Sequence, residues 1–239
     1  YRDKEEGYYK YKIHEQNDGE KHIEITGLTE LGKKQKVLVI PEDINGIKVK
    51  SLEKTNLFSF ITSTGVRWKS ENLEKVFFPT SRVSVYYGTF AECINIKRTF
   101  AINFNIEAGF MGGGGVLKAA IGNLYVPILL FDTDEYIHEK LKPANITYYY
   151  NYETDINYGV YWIDDEDYGS VIEYIPSDPI REGYEFGGWY KEAECINKWD
   201  FDKDTLPEEQ LEEVEVEATL HEEAYTEMRQ VYQETKLYA

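Results

Sequence analysis

Three short apolar segments in the first half of the chain each end at a proline, and this feature constrains the fold more than any other. The segments are 39–41 (VIP), 77–79 (FFP) and 125–127 (YVP). Because proline has no amide hydrogen to donate to a strand ladder, each one ends its strand at a fixed place. Short strands that recur with the same end signal predict a solenoid, in which each coil buries its apolar side against the next coil.

Strand signals precede these segments. Residues 8–13 (YYKYKI) and 22–25 (HIEI) alternate apolar and polar side chains, and 17–19 (NDG) between them is a turn signal. The pattern predicts an N-terminal hairpin. Asn45-Gly46 predicts a second tight turn, followed by an alternating strand over 47–50.

The first half resembles the BspA-type leucine-rich repeats of bacterial surface proteins. The resemblance is carried by 40–52 (IPEDINGIKVKSL), 72–79 (NLEKVFFP) and 88–96 (GTFAECINI), and it covers about residues 40–130. It implies a degenerate leucine-rich-repeat domain over 1–145 with an N-terminal hairpin. The three prolines are 38 and 48 residues apart, whereas a regular repeat has about 20–29. We therefore expect degenerate coils or insertions, and the glycine-rich segment 110–118 is interpreted as a flexible insertion.

Charge divides the chain of 239 residues into two parts. Residues 1–150 hold 19 acids and 20 bases, whereas 151–239 hold 25 acids and 6 bases. This asymmetry predicts two units with different surfaces. The net charge of −18 argues against nucleic acid as a partner. No apolar run reaches the roughly 20 residues of a membrane span, so we expect no direct membrane insertion.

The second half carries further strand signals. Strands are predicted at 146–152 (ITYYYNY), 158–163 (YGVYWI) and 171–176 (VIEYIP), and a turn is predicted at 164–169. The segment 235–239 (TKLYA) is interpreted as a closing strand.

The segments 179–201 (PIREGYEFGGWYKEAECINKWDF) and 235–239 closely resemble the Listeria–Bacteroides repeat, also called the internalin B-repeat. The positions that match the family pattern are Pro179, Arg181, Gly183, Tyr184, Phe186, Gly188, Trp189, Tyr190, Trp199, Phe201, Leu237, Tyr238 and Ala239. The resemblance implies a small β-grasp-like domain over 146–239. Such domains occur on secreted and surface-attached proteins and are not known as enzymes.

Residues 204–234 exceed the usual length of that family before its last strand. Leu211, Ala218, Tyr225 and Tyr232 recur every seven residues, which predicts an amphipathic helix over about 220–233. Apolar and polar side chains also alternate from 214 to 220, so a strand that extends up to Leu220 is the alternative prediction. The helix would pack on the sheet or bind a partner.

No pattern for catalysis or metal binding stands out. The four histidines, at positions 14, 22, 138 and 221, have no metal-ligand spacing, and neither His-Glu-x-x-His nor Gly-x-Ser-x-Gly is present. The acidic segment 164–167 could hold calcium, but it lacks the alternating ligands of a calcium loop. We predict no catalytic, cofactor-binding or metal-binding residues and no cofactor, and the ligand-binding residues stay unknown.

Cys93 and Cys195 each lie in the string Ala-Glu-Cys-Ile-Asn. Both are interpreted as small buried apolar groups rather than nucleophiles. A disulfide between them would tie the two units together, and the sequence leaves that open.

These features predict an α+β, mostly β protein: an irregular leucine-rich-repeat solenoid followed by a small β-grasp-like domain with one helix. Both chain ends look like cuts within a longer protein. The expected function is a non-catalytic surface or secreted bacterial protein that binds a host or neighbouring-cell protein or glycan through its repeat domain. The alternative is a spacer module of a larger cell-surface protein with no ligand of its own.

Overall fold

The computed structural model describes residues 3–52, 68–78, 83, 89–90, 92–102, 124–131, 141–220 and 222–239. The chain divides into two compact units, Tyr1–Ala144 and Asn145–Ala239. The predicted insertion at 110–118, Pro79, His138 and His221 lie outside the described residues.

Ten strands and two short 3₁₀ helices form the described part of the first unit. The strands are β1 (Lys4–Glu6), β2 (Tyr9–Glu15), β3 (Lys21–Leu28), β4 (Val37–Val39), β5 (Asp43–Ile44), β6 (Ile47–Leu52), β7 (Lys75–Phe78), β8 (Arg98–Ala101), β9 (Leu124–Val126) and β10 (Lys142–Pro143). The 3₁₀ helices span Gly32–Lys34 and Ile128–Leu130.

The first sheet of this unit has the order β1-β2-β3-β6-β5. Strands β2 and β3 pair antiparallel, which confirms the predicted N-terminal hairpin. Asn45 and Gly46 join β5 to β6 with φ angles of 54° and 78°. These left-handed conformations are those that an Asn-Gly hairpin turn requires, so the predicted turn is confirmed.

The second sheet is parallel throughout, with the order β4-β7-β8-β9-β10. The order of the strands in the sheet is therefore the same as their order along the chain. Phe77 of β7 is in register with Phe100 of β8, and Phe100 is in register with Tyr125 of β9. The separations along the chain are 23 and 25 residues. The second and third prolines, 48 residues apart, follow β7 and β9, and β8 lies between these two strands in the sheet.

Both faces of the parallel sheet are buried. Val76 and Phe78 point to one face and join the main core together with residues of the first sheet, such as Ile25. On the other face, Phe77 and Phe100 are fully buried. Their rings stack with centroids 4.5 Å apart. Burial on both faces explains why β7 and β9 contain continuous apolar runs rather than alternating patterns.

Five strands form the described part of the second unit. They are β11 (Ile146–Tyr149), β12 (Val160–Asp164), β13 (Leu211–Val216), β14 (Tyr225–Gln230) and β15 (Thr235–Tyr238), and a 3₁₀ helix spans Ile156–Gly159. Strand β11 lies between β12, its antiparallel neighbour, and β15, its parallel neighbour. Strands β13 and β14 form a separate antiparallel hairpin.

The mostly β part of the predicted fold class is confirmed, because the described residues contain no helix of seven or more residues. The predicted helix over 220–233 is wrong, since β14 occupies its centre and pairs with β13. The predicted strand over 171–176 is also wrong, because only Val171 makes a bridge, with Thr205. The β-grasp and leucine-rich-repeat assignments stay predictions.

Candidate functional site

The most unusual exposed feature of the second unit is an arginine stacked between two tyrosines. The guanidinium carbon of Arg181 lies 4.2 Å from the ring centroid of Tyr152 and 3.7 Å from that of Tyr184. We call these three residues the Arg181 clamp. Within the described residues no carboxylate forms an ion pair with Arg181, although acids outnumber bases 25 to 6 over 151–239. The rings hold the cation by cation–π attraction, which leaves the edge of the guanidinium available to a partner.

A tight turn sets the geometry of the clamp. The amide of Tyr184 donates to the carbonyl of Arg181 at 3.1 Å. Gly183 lies within this turn at φ 80°, a conformation that side chains other than glycine rarely adopt. The turn folds Tyr184 back against Arg181. Tyr152, just beyond the end of β11, supplies the second ring against the guanidinium.

A series of aromatic ring contacts connects Tyr152 of the clamp to the buried Trp189. Ring centroids lie 5.5 Å apart for Tyr152 and Tyr150, 5.2 Å for Tyr150 and Tyr161, and 5.6 Å for Tyr161 and Trp189. Trp189 is 2% exposed. Burial raises the pKa of Tyr150 and of Tyr161 above the ordinary value of tyrosine. The clamp therefore rests on a continuous path of packed rings that reaches the core.

Exposed apolar side chains occur in the same stretch of chain. Ile175 is 52% exposed, Ile180 93% and Tyr184 66%. Tyr161 fixes this stretch, because its hydroxyl donates to the carbonyl of Ser177 at 2.5 Å. In the described part of the first unit, by contrast, the exposed large apolar residues are Tyr8, Leu31 and Ile94. The described apolar surface is thus concentrated in the second unit.

Most of the other positions of the repeat pattern have structural roles. Trp189, Trp199 and Leu237 are buried. Tyr190 and Tyr238 exchange two backbone hydrogen bonds, at 2.8 and 2.9 Å. Arg181 and Tyr184 differ from these positions because both are exposed.

The acidic segment 164–167 begins at the last residue of β12 and is hydrogen-bonded to Asn145, the residue that precedes β11. Asp164 is fully buried at the end of β12. The Asp165 carboxylate accepts from the Asn145 amide nitrogen at 3.1 Å. The Asn145 side chain donates to the Glu166 carbonyl at 2.7 Å and accepts from the Glu166 amide at 3.2 Å. The described residues contain no group of three or more acidic, histidine or cysteine side chains able to hold a metal ion.

The histidines that the structure describes lie on the N-terminal hairpin. His14 Nε2 is 2.9 Å from a carboxylate oxygen of Glu24. The rings of His14 and His22 stack with centroids 5.3 Å apart. These contacts are cross-strand pairs of the kind that stabilise a hairpin.

The two cysteines differ in environment, and both are free thiols. Cys93 is buried, as predicted, and its Sγ lies 3.5 Å from the Trp68 carbonyl oxygen. Burial raises the pKa of Cys93 to about 11. Cys195 is exposed, so its predicted burial is wrong. Its backbone has a φ of 54°, which places it in a tight turn at the surface.

We expect a thiol reagent such as 5,5′-dithiobis(2-nitrobenzoate) to modify Cys195 rapidly in the native protein at pH 8 and to leave Cys93 unmodified. The thiolate is the reactive form, and burial both hides the Cys93 sulfur and keeps it protonated. Absorbance at saturation should correspond to one thiol per chain, rising to two in denaturant. The Cys195→Ser variant should show no rapid phase; a rapid phase in that variant would contradict the buried position of Cys93.

No helix in the described part of the chain is both long enough and apolar enough to span a bilayer. The family model of the Listeria-Bacteroides repeat domain matches residues 145–212, less than a third of the chain. The second unit is a β-sheet module, and the match covers the larger part of it. More particularly, residues 145–212 are similar to the Listeria-Bacteroides repeat domain, a family typical of bacterial surface proteins. No solved structure matches the chain. The family match does not extend to the first unit, where the resemblance to leucine-rich repeats stays a prediction.

Proposed function

We propose that this protein is a non-catalytic, secreted or surface-associated bacterial protein that binds a partner through the Arg181 clamp. The observation that carries the proposal is the exposed guanidinium of Arg181, held between two tyrosine rings without an ion pair among the described residues. Arginine and tyrosine dominate the energetic centres of protein interfaces. The exposed aliphatic side chains of Ile175 and Ile180 in the same stretch of chain favour a protein over a glycan, and the family that residues 145–212 match supports a surface location.

The first unit would act as a leucine-rich-repeat scaffold of the BspA type. Two features support this part of the proposal. The separations of 23 and 25 residues between registered positions of β7, β8 and β9 fall within the period of such repeats. Asparagine side chains also link successive segments: the Asn72 amide donates to the Lys33 carbonyl at 3.1 Å, and the Asn95 amide donates to the Glu71 carbonyl at 2.7 Å.

A binding screen with the whole chain tests the proposal. The labelled chain is applied to arrays of extracellular-matrix proteins and of glycans. We expect at least one protein spot to bind. The Tyr184→Ala and Ile180→Asp variants should weaken that binding by about tenfold or more, as substitutions at an interface centre do. Ile180 is 93% exposed, so its replacement should leave the fold intact.

Arg181→Ala should weaken the binding to a similar extent, and Lys203→Ala is its matched control, because it removes the same charge from an exposed side chain of the same unit. The Lys203 side chain is 82% exposed, and its loss should change binding by less than about twofold. If no array spot binds the chain, the spacer alternative replaces the binding proposal. If only glycan spots bind, the proposed class of partner, a protein, is wrong. If the chain stays in the cytoplasm of the bacterium that produces it, the proposed surface or secreted location is wrong.

A further inference from the structure

The hairpin of β13 and β14 lies mostly beyond the family match. The family match ends at residue 212, and β15 completes the three-stranded sheet only from residue 235. Strands β13 and β14 make six antiparallel pairs, from Leu211 opposite Gln230 to Val216 opposite Tyr225. In the described part of the chain these two strands pair only with each other. Their outer edges therefore present backbone groups without a strand partner, which is an arrangement that invites a further strand.

Neither face of the hairpin is covered. Leu211 is 53% exposed, Met228 60% and Tyr225 47%. Directly opposed residues of an antiparallel pair share a face. Leu211 and Met228 therefore lie on one face together with Glu213 and Glu215, whereas Val216 and Tyr225 lie on the other. A two-stranded hairpin with both faces in water is only marginally stable by itself, so a strand added to its edge would stabilise it.

Charge determines which strand the edge would accept. Glutamates at 208, 209, 212, 213, 215, 217, 222, 223 and 227 surround a single arginine, Arg229. Arg229 already bonds to Glu227. Glu213 and Glu215 lie opposite Met228 and Thr226, which are uncharged. The face that carries Met228 therefore combines apolar area with uncompensated negative charge.

We propose that the free edge of β13 is a docking site for an extended, cationic segment of another protein. The segment would add as a third strand beside β13. Basic side chains at alternate positions of the segment would face Glu213 and Glu215, and the apolar side chains between them would lie on the opposite face, beside Val214 and Val216. Opposed charges across paired strands attract, whereas a second copy of β13 would place glutamate against glutamate. This surface is distinct from the Arg181 clamp, so the two proposals stand or fall separately.

The test uses three labelled eight-residue peptides and the whole chain. The first alternates lysine and valine, the second groups the same residues as four valines and four lysines, and the third alternates glutamate and valine. Fluorescence anisotropy measures binding at low and at physiological salt. We expect the alternating lysine peptide to bind about tenfold more tightly than the grouped one, because only alternation places every lysine on one face of a strand. The glutamate peptide should not bind.

Paired charge variants locate the binding edge. Glu213→Gln with Glu215→Gln should weaken binding of the alternating lysine peptide by about tenfold, since two cross-strand charge pairs are lost. Glu222→Gln with Glu223→Gln removes the same charge from the segment that joins the strands, and it should change binding by less than about twofold. Circular dichroism checks that both variants keep their strand content. Tyr184→Ala, in the Arg181 clamp, should leave this binding unchanged.

Three results would overturn the proposal. Equal binding of the alternating and the grouped peptide would show charge attraction without strand addition. Equal loss in the two double variants would show that the total charge, rather than the β13 edge, attracts the peptide. A dimer in analytical ultracentrifugation that Glu213→Lys strengthens would assign the edge to a second copy of the chain.

Discussion

Trp189→Ala is expected to lower the free energy of unfolding of the second unit by about 3–5 kcal/mol, the usual cost of removing a buried tryptophan side chain. The indole packs against three rings: its centroid lies 4.8 Å from that of Tyr148, 5.6 Å from that of Tyr161 and 5.2 Å from that of Phe186. Because a domain is stable by only about 5–15 kcal/mol in total, this single change removes a large share. Hydrogen exchange of the amides in β11 and β12 measures the loss directly.

The matched control for Trp189→Ala is Ile180→Ala in the same unit. Ile180 is 93% exposed, so its truncation should change the stability by less than about 0.5 kcal/mol. If exchange in β11 and β12 is no faster in Trp189→Ala than in Ile180→Ala, then Trp189 is not the centre of this core.

Phe100→Ala should destabilise the first unit by a similar amount, about 3–5 kcal/mol. Phe100 is fully buried, and its ring lies between those of Phe77 and Tyr125, at centroid distances of 4.5 and 5.5 Å. Truncation would leave a cavity in the middle of this row of rings and remove contacts with both neighbouring strands. We expect faster hydrogen exchange in β7 and β9.

Ile94→Ala serves as the control in the first unit, since Ile94 is 75% exposed. A change of less than about 0.5 kcal/mol is expected for it. Should Phe100→Ala behave like Ile94→Ala, the row of aromatic rings would contribute little to holding the parallel strands together.

Local signals in the sequence predicted several elements correctly. The proline-ended segments gave strands β4, β7 and β9, which lie in one sheet. Strand β8 was missed, because its sequence is Arg-Thr-Phe-Ala and no proline follows it. The structure identifies this strand by its pairing, because Phe100 is in register with Phe77 of β7 and Tyr125 of β9.

The error over 220–233 arose from two periodicities that compete in one segment. Leu211, Ala218 and Tyr225 recur every seven residues, as on a helix, while Val214 and Val216 alternate, as on a strand. In the structure Val216 lies opposite Tyr225. Pairing between two segments is a non-local interaction that the periodicity of either segment does not contain. Tertiary pairing therefore overrode the helical spacing.

The candidate site could be predicted only in part. Resemblance to the repeat family selected Arg181 and Tyr184, but it gave no reason to expect that they differ in role from the buried Trp189. Tyr152 lies 29 residues before Arg181 in the sequence, and its contact with the guanidinium depends on the fold of the whole unit. The exposure of Cys195 was likewise invisible, because it follows from a local turn with positive φ.

The parallel pairing of β11 with β15 has a mechanical consequence. These are the first and last strands of the second unit, and four residue pairs join them, from Ile146–Thr235 to Tyr149–Tyr238. Because both strands run in the same direction, the start of β11 and the end of β15 lie at opposite ends of this ladder. Tension between residues 145 and 239 would pull the two strands lengthwise past each other and load all four pairs together. Rupture would then require their simultaneous failure, and the rate of forced unfolding sets how long a tethered chain resists shear.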